Sequence, residues 1–166
     1  LGRGAVPEMS LSDNSLLTAH SQGMLKRGFI DRRAEVAFTT ACIRDFDVRT
    51  PGPEAEAGAL SGGNLQKFIV GREMSLKPDL LFVAQPTWGV DIGAATAIRQ
   101  KLVAMRNAGV AVLVISEELE ELFEICDRIQ VIHKGHLSPS MDARSTRAED
   151  VGRWMIGAQA EQGAVA

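Results

Sequence analysis

Leu60-Ser61-Gly62-Gly63-Asn64-Leu65-Gln66-Lys67 sets a serine and two glycines directly ahead of a helical run. Glycines let another group come close to the backbone. The first N–H groups of a helix lack intrahelical partners, and the helix dipole leaves partial positive charge at that end. With the Ser61 hydroxyl as a further donor, the stretch has the chemistry of an anion site. Taken alone, it also reads as a plain serine N-cap after a loop.

Downstream, the helix from Ser61 is expected to run to about Leu76. Lys77-Pro78 ends it, because a residue before proline is pushed out of the helical region. Leu80-Leu81-Phe82-Val83 is a continuous apolar run, as in a strand buried on both faces. Gly93 to Asn107 predicts a helix with Ile98, Leu102 and Met105 on one side, closed by Gly109. Val110 to Ile115 predicts a second buried strand. Glu117 to Cys126 predicts a helix on which Leu119, Leu122, Phe123 and Cys126 follow helical spacing, with the glutamates as its solvated face. Ile129 to His133 alternates and turns through Lys134-Gly135 into His136-Leu137-Ser138, an antiparallel hairpin. Ala148 to Ile156 predicts a closing helix, and the tail from Gly157 is expected to fray. Strands alternating with helices predict βαβ units and a parallel sheet. Three strands make that sheet incomplete.

Upstream, residues 1–10 read as loop. Ser12-Asp13-Asn14 offers caps for a short helix to His20, and Gly23 and Gly28 bracket a turn region. Asp31 caps a helix to about Asp45, stopped by Thr50-Pro51-Gly52-Pro53. No strand is expected before residue 60.

The chain has 166 residues, 45% of them apolar and 23% charged, which excludes a disordered chain. A net charge of −3 counts against nucleic-acid binding driven by charge. No apolar run reaches the ~18 residues of a membrane span. Cys42 and Cys126 lie far apart and read as reduced structural thiols. The chain begins with leucine, which suggests a piece of something longer.

Leu60 to Lys67 resembles the signature motif of the ATP-binding-cassette ATPases, and its Asn64 and Leu65-Gln66-Lys67 resemble the sugar and nucleoside importers. Leu80-Leu81-Phe82-Val83-Ala84-Gln85-Pro86-Thr87-Trp88-Gly89-Val90-Asp91 is similar to the Walker B strand and D-loop of that family. Ile115-Ser116-Glu117 falls at the switch-histidine segment. The similarity runs in order over residues 60–137, and less specifically over 1–59.

The departures are equally informative. No glycine here is followed by lysine, so a Walker A loop is absent. The family's Mg²⁺-holding Asp is Ala84, which cannot coordinate a cation. Its catalytic Glu is Gln85, which cannot accept a proton as a base. Its switch histidine is Glu117, whose carboxylate would repel a phosphate. No catalytic residue is intact, and this nucleotide site is expected to bind ATP weakly or hydrolyse it poorly.

The resemblance implies the later part of a second, fused cassette: α/β, a partial P-loop NTPase fold with a helical subdomain, an incomplete parallel sheet with flanking helices and a C-terminal hairpin. It implies a permease-facing helical subdomain over residues 1–59, a nucleotide-binding core over 60–156 and a flexible tail over 157–166. Ser61, Gly62, Gly63 and Asn64 would meet the γ-phosphate of an ATP, with its Mg²⁺, held by a partner cassette. Asp91 would communicate between the two sites. The implied partners are that cassette, membrane permease subunits and, indirectly, a substrate-binding protein, at the cytoplasmic face of the inner membrane. The implied role is coupling ATP hydrolysis to uptake of a sugar or nucleoside. A non-catalytic, cassette-derived interaction scaffold is the alternative. A cassette acting on nucleic acid or the ribosome is disfavoured by the acidic balance.

Smaller features leave choices open. Met24, Leu25, Phe29 and Ile30 read as ordinary core, with a permease-facing groove as the other reading. Trp88 reads as either an interface anchor or local packing. His133 and His136 lack a third nearby ligand for a metal, and His20 reads as a helix-end residue.

Overall fold

A computed structural model describes residues 4–157, so the fraying expected of the tail falls, beyond Gly157, outside the described residues. The described chain forms two compact units that divide between Leu113 and Val114.

The first unit opens with α1 (Leu11–Ala19). Its N-cap is Ser10, whose Oγ accepts from the Asp13 N–H at 3.0 Å, and not the Ser12-Asp13-Asn14 run. Ser12 and Asn14 are buried instead. Asn14 earns its burial by accepting from the Val6 N–H at 2.7 Å while its amide donates to the Val6, Met9 and Ser10 carbonyls. A buried amide so fully satisfied ties the preceding loop to the helix.

Next come β1 (Leu25–Lys26) and β2 (Phe29–Ile30), an antiparallel pair turning through Arg27 and Gly28, both at positive φ. The expectation of no strand before residue 60 fails here. Two-residue strands are too short to show alternation, so only the Gly28 turn signal was visible. Met24 is core, whereas Leu25, Phe29 and Ile30 are exposed.

Asp31 caps α2 (Arg32–Asp45), with its Oδ1 accepting from the Arg33 and Ala34 N–H groups. Ser61 caps α3 (Gly62–Ser75). The three helices pack together around Leu11, Cys42, Val48, Ala57, Leu65 and Phe68. Buried Thr39 donates to Ser15 Oγ at 2.8 Å, which pins α2 to α1. Buried Arg72 on α3 donates to the carbonyls of Asn14 and Gly4.

Leu76 caps α3, and Lys77 turns left-handed at φ 51° before Pro78. The chain then enters β3 (Leu80–Ala84), α4 (Ile92–Asn107) and β4 (Ala111–Ile115). β3 and β4 are hydrogen-bonded neighbours in a two-stranded sheet joined by α4. The sequence reading buried both faces of these strands. In the structure Leu81 is buried while Leu80 and Phe82 are 64% and 59% exposed. With only two strands, nothing in the described residues covers that face.

The second unit holds α5 (Leu119–Ile125), β5 (Arg128–Ile129), β6 (Ile132–His133), β7 (His136–Leu137), β8 (Met141–Asp142) and α6 (Ala148–Met155). The hairpin through Lys134-Gly135 forms as expected, joining β6 to β7. The alternating run from Ile129 to His133 is not one strand. Ser138 Oγ takes the Val131 N–H at 2.9 Å, interrupting the ladder, and β5 pairs with β8 instead. Ile129, Val131, Ala143 and Val151 form this unit's core. Glu121 is buried on the same side of α5 as Ile125, so the glutamates are not all on a solvated face.

Candidate functional site: a glycine helix tip against a loop

The tip of α3 and the loop from Gln85 to Asp91 lie together in the first unit. Ser61 Oγ accepts from the Asn64 side-chain amide at 2.9 Å and, more weakly, from its backbone N–H at 3.5 Å. Asn64 Oδ1 accepts from the Arg49 N–H at 2.8 Å. The capping serine and Asn64 are therefore fixed by each other, and Asn64 is fixed by the chain running into the tip.

The two glycines differ. A Cβ on Gly63 would come within 2.9 Å of the Gly89 carbonyl oxygen and 3.5 Å of Val90 Cα, whereas a Cβ on Gly62 would meet nothing within 4 Å. The fold itself requires a glycine at 63. Nothing internal requires one at 62, which has no left-handed φ either. A bare backbone at 62 leaves an exposed N–H at the positive end of a helix open to close approach from outside.

The loop facing Gly63 is held by the same helix. Gln66 Nε2 donates to the carbonyls of Gln85 at 3.1 Å and Pro86 at 3.3 Å. Gln85 sits at φ 51°, a left-handed conformation uncommon for a residue with a side chain. Trp88 N–H donates back to the Gln85 carbonyl at 3.2 Å, and Gly89 completes the turn at φ 72°. Asp91 is the N-cap of α4 and accepts from the Ala94 N–H at 2.9 Å. That bond first, and the Lys67 ammonium second among the attractions, hold the Asp91 carboxyl below the usual carboxylate range. Lys67 is itself buried and donates to the Asp47 carbonyl at 3.2 Å.

The structure thus brings Ser61, Gly62, Gly63, Asn64, Gln85 and Asp91 to one region. Ala84 ends β3 with an exposed methyl group, and Gln85 beside it offers an amide. These residues do not fit a magnesium ion, which takes oxygen ligands and favours carboxylates. Glu117 belongs to the second unit, where it is exposed ahead of α5. Sequence reasoning missed the Gln66 clamp, the Gly63–Gly89 contact and the capping role of Asp91. The Asp91-Ile92-Gly93 step into a helix was a readable signal for the last.

No family model matches the chain. Curated relatives do. The chain is 41% identical over 155 residues to the nucleoside import ATP-binding protein NupA of Lactococcus lactis subsp. cremoris, covering 93% of this chain and 31% of that protein. It is 40% identical over 160 residues to the guanosine import ATP-binding protein NupO of Bacillus subtilis, covering 93% and 30%. This chain carries part of an ATP-binding cassette. A third relative, the glucose import ATP-binding protein TsgD13 of Haloferax volcanii, is 37% identical and covers 93% of the chain. The chain spans about 30% of the length of these curated relatives.

Solved structures agree on the cassette fold. A dimeric post-hydrolysis state of the ATP-binding cassette MJ0796 bound to ADP and Pi superposes with a TM-score of 0.71 at 19% identity, covering 86% of this chain and 60% of that one. The ATP-binding subunit of an ABC transporter gives 0.72 at 18% identity, covering 91% and 64%. At such identities the likeness concerns the fold. The expected α/β, partial P-loop NTPase class therefore stands. Among the described residues, no helix is long and apolar enough to cross a membrane.

Proposed function

We propose that this cassette supplies a signature tip to an ATP site whose P-loop belongs to another cassette, within a machine that imports a nucleoside or sugar. The observation that carries the reading is the asymmetry of the two glycines: Gly63 is consumed by the Gly89 contact, while Gly62 is bare toward the outside. A terminal phosphate approaching there would meet the Gly62 N–H, the partial charge of the helix and the Ser61 hydroxyl. These donors are set in place by Asn64 and Arg49 before any charge arrives. Preorganised donors of this kind stabilise charge developing on a phosphoryl group without reorganising.

The chain's own nucleotide site has a different role in this reading. Ala84 and Gln85 supply neither the cation ligand nor the base, and Glu117 adds negative charge to the segment after β4. ATP bound to the assembled pair, with Mg²⁺, is turned over at the partner's site, and Asp91 stands on the loop between the two. The partners are the second cassette and the membrane permease subunits, the latter facing residues 1–59. Residues 60–156 form the nucleotide-binding core and 157–166 a tail. The location is the cytoplasmic face of the membrane.

ATP turnover tests this. The chain is combined with a P-loop-bearing cassette from a nucleoside-import relative, and hydrolysis is measured as wild type, Ser61→Ala and Gly62→Val. Turnover that needs the chain and falls at least tenfold in both variants supports the reading. Turnover indifferent to both variants leaves the scaffold alternative.

A further inference from the structure

We infer that the β1–β2 hairpin is a lipid-facing element, whose tip sets Phe29 into an anionic phospholipid surface while Arg27 and Arg33 meet the phosphates. The inference goes beyond the reading of Gly62 and draws nothing from it. Phe29 is 79% exposed, more than any other aromatic side chain among the described residues. The strand register sets it opposite Lys26, with Leu25 opposite Ile30 on the other face, and Leu25 and Ile30 are exposed as well. The base of the hairpin is firm. Met24 is fully buried, and its carbonyl accepts from the Asp31 N–H at 2.7 Å. The apolar tip is therefore held out on an anchored backbone, and little freedom remains to be lost when it is covered.

Charge identifies the occupant. Lys26, Arg27, Arg32 and Arg33 fall within nine residues, against the single carboxylate of Asp31, in a chain whose net charge is −3. Asp31 neutralises Lys26, and Asp13 and Glu35 take Arg32. Arg27 and Arg33 have no carboxylate partner among the described residues. Arg27 also occupies a left-handed turn position, at φ 53°, where Asn or Asp is the favoured residue. Uncompensated cations beside an exposed aromatic match an anionic bilayer, where apolar groups enter the acyl boundary and cations stay at the headgroups. A stable protein partner takes roughly 800 Å² from each side, more than this short hairpin offers. A bilayer needs only the tip.

Vesicle binding tests this. The chain is sedimented with vesicles of phosphatidylglycerol and phosphatidylcholine in equal parts, and with vesicles of phosphatidylcholine alone. Binding is expected to the anionic vesicles, to weaken with added salt, and to be far lower on the neutral ones. Phe29→Ser should lower it at least about tenfold. Arg27→Gln and Arg33→Gln should lower it about fivefold each. Phe29→Leu should recover most of the loss, which marks insertion of an apolar group. Phe29→Trp should add emission that brominated acyl chains quench, beyond any quenching of Trp88 and Trp154. Leu80 and Phe82 offer a competing apolar face, so the double variant Leu80→Ser, Phe82→Ser is run in parallel and should bind like wild type. Circular dichroism checks that each variant keeps its fold. No binding to anionic vesicles, equal binding to both kinds, or binding that survives Phe29→Ser and Arg27→Gln overturns the inference. So does a loss that follows Leu80 and Phe82 instead of the hairpin.

Discussion

Gln66 donates its side-chain amide to the backbone carbonyl of Gln85, nineteen residues away, at 3.1 Å. One helix position past the glycine tip thereby controls a loop that is itself held left-handed. Gln66→Glu keeps the size but replaces the two-hydrogen donor with a carboxylate facing the Gln85 and Pro86 carbonyls. It is expected to destabilise the chain by about 1–3 kcal/mol, the usual penalty for a polar group losing its partner. Urea midpoints for Gln66→Glu and Gln66→Ala check this, with the glutamate variant the less stable.

The two glycines at the tip of α3 should respond oppositely to the same methyl group. Gly62→Ala meets no neighbour and gains helix propensity, so stability should rise by about 0.5 kcal/mol. Gly63→Ala drives the methyl into the Gly89 carbonyl and should lower stability by about 1–3 kcal/mol. Thermal unfolding of the pair decides it; equal effects would mean the Gly63–Gly89 contact is not close.

Glu35 is fully buried on α2 and takes Arg32 Nη1 on both oxygens at 3.0 Å, while the same guanidinium reaches Asp13 at 2.6 Å. Removing the cation strands a buried carboxylate. Arg32→Met should destabilise the chain, and adding Glu35→Gln should restore a substantial part. A double-mutant cycle by chemical denaturation measures the coupling.

Burial pushes the Cys42 thiol up to about 12. In the unfolded chain a thiol ionises near pH 8.5. Between those values the native state binds more protons than the unfolded one, so stability is full below pH ~8.5 and declines as pH rises toward 12. The slope from this group approaches about 1.4 kcal/mol per pH unit, and Cys42→Ala should flatten it. Both cysteines are outside any disulfide, and Cys42 is the more buried. A thiol reagent at pH 8 should therefore label Cys126 in the folded chain and Cys42 only on unfolding.

The helices were legible because their ends carry chemistry. Asp31 and Ser61 cap α2 and α3 where their side chains implied, and Gly109 turns left-handed after α4. Ser10 was overlooked because three polar residues beside it looked equally capable, and only burial distinguishes Asn14 as a scaffold for its own loop. The strands were harder. Leu80 and Phe82 look like core letters, and sequence cannot say whether a covering layer is present. At the site, the letters that resemble a signature and a D-loop were readable in order. Their contact was not, since it depends on Gly89 folding back to Gly63 across a turn set by Gln85.

The bare face of β3 has a practical corollary. With Leu80 and Phe82 turned toward water, a polypeptide of these 166 residues prepared by itself carries an adhesive flank. Its solubility ceiling should be low, and purification should succeed best when a complementary layer is supplied from the outset, during synthesis.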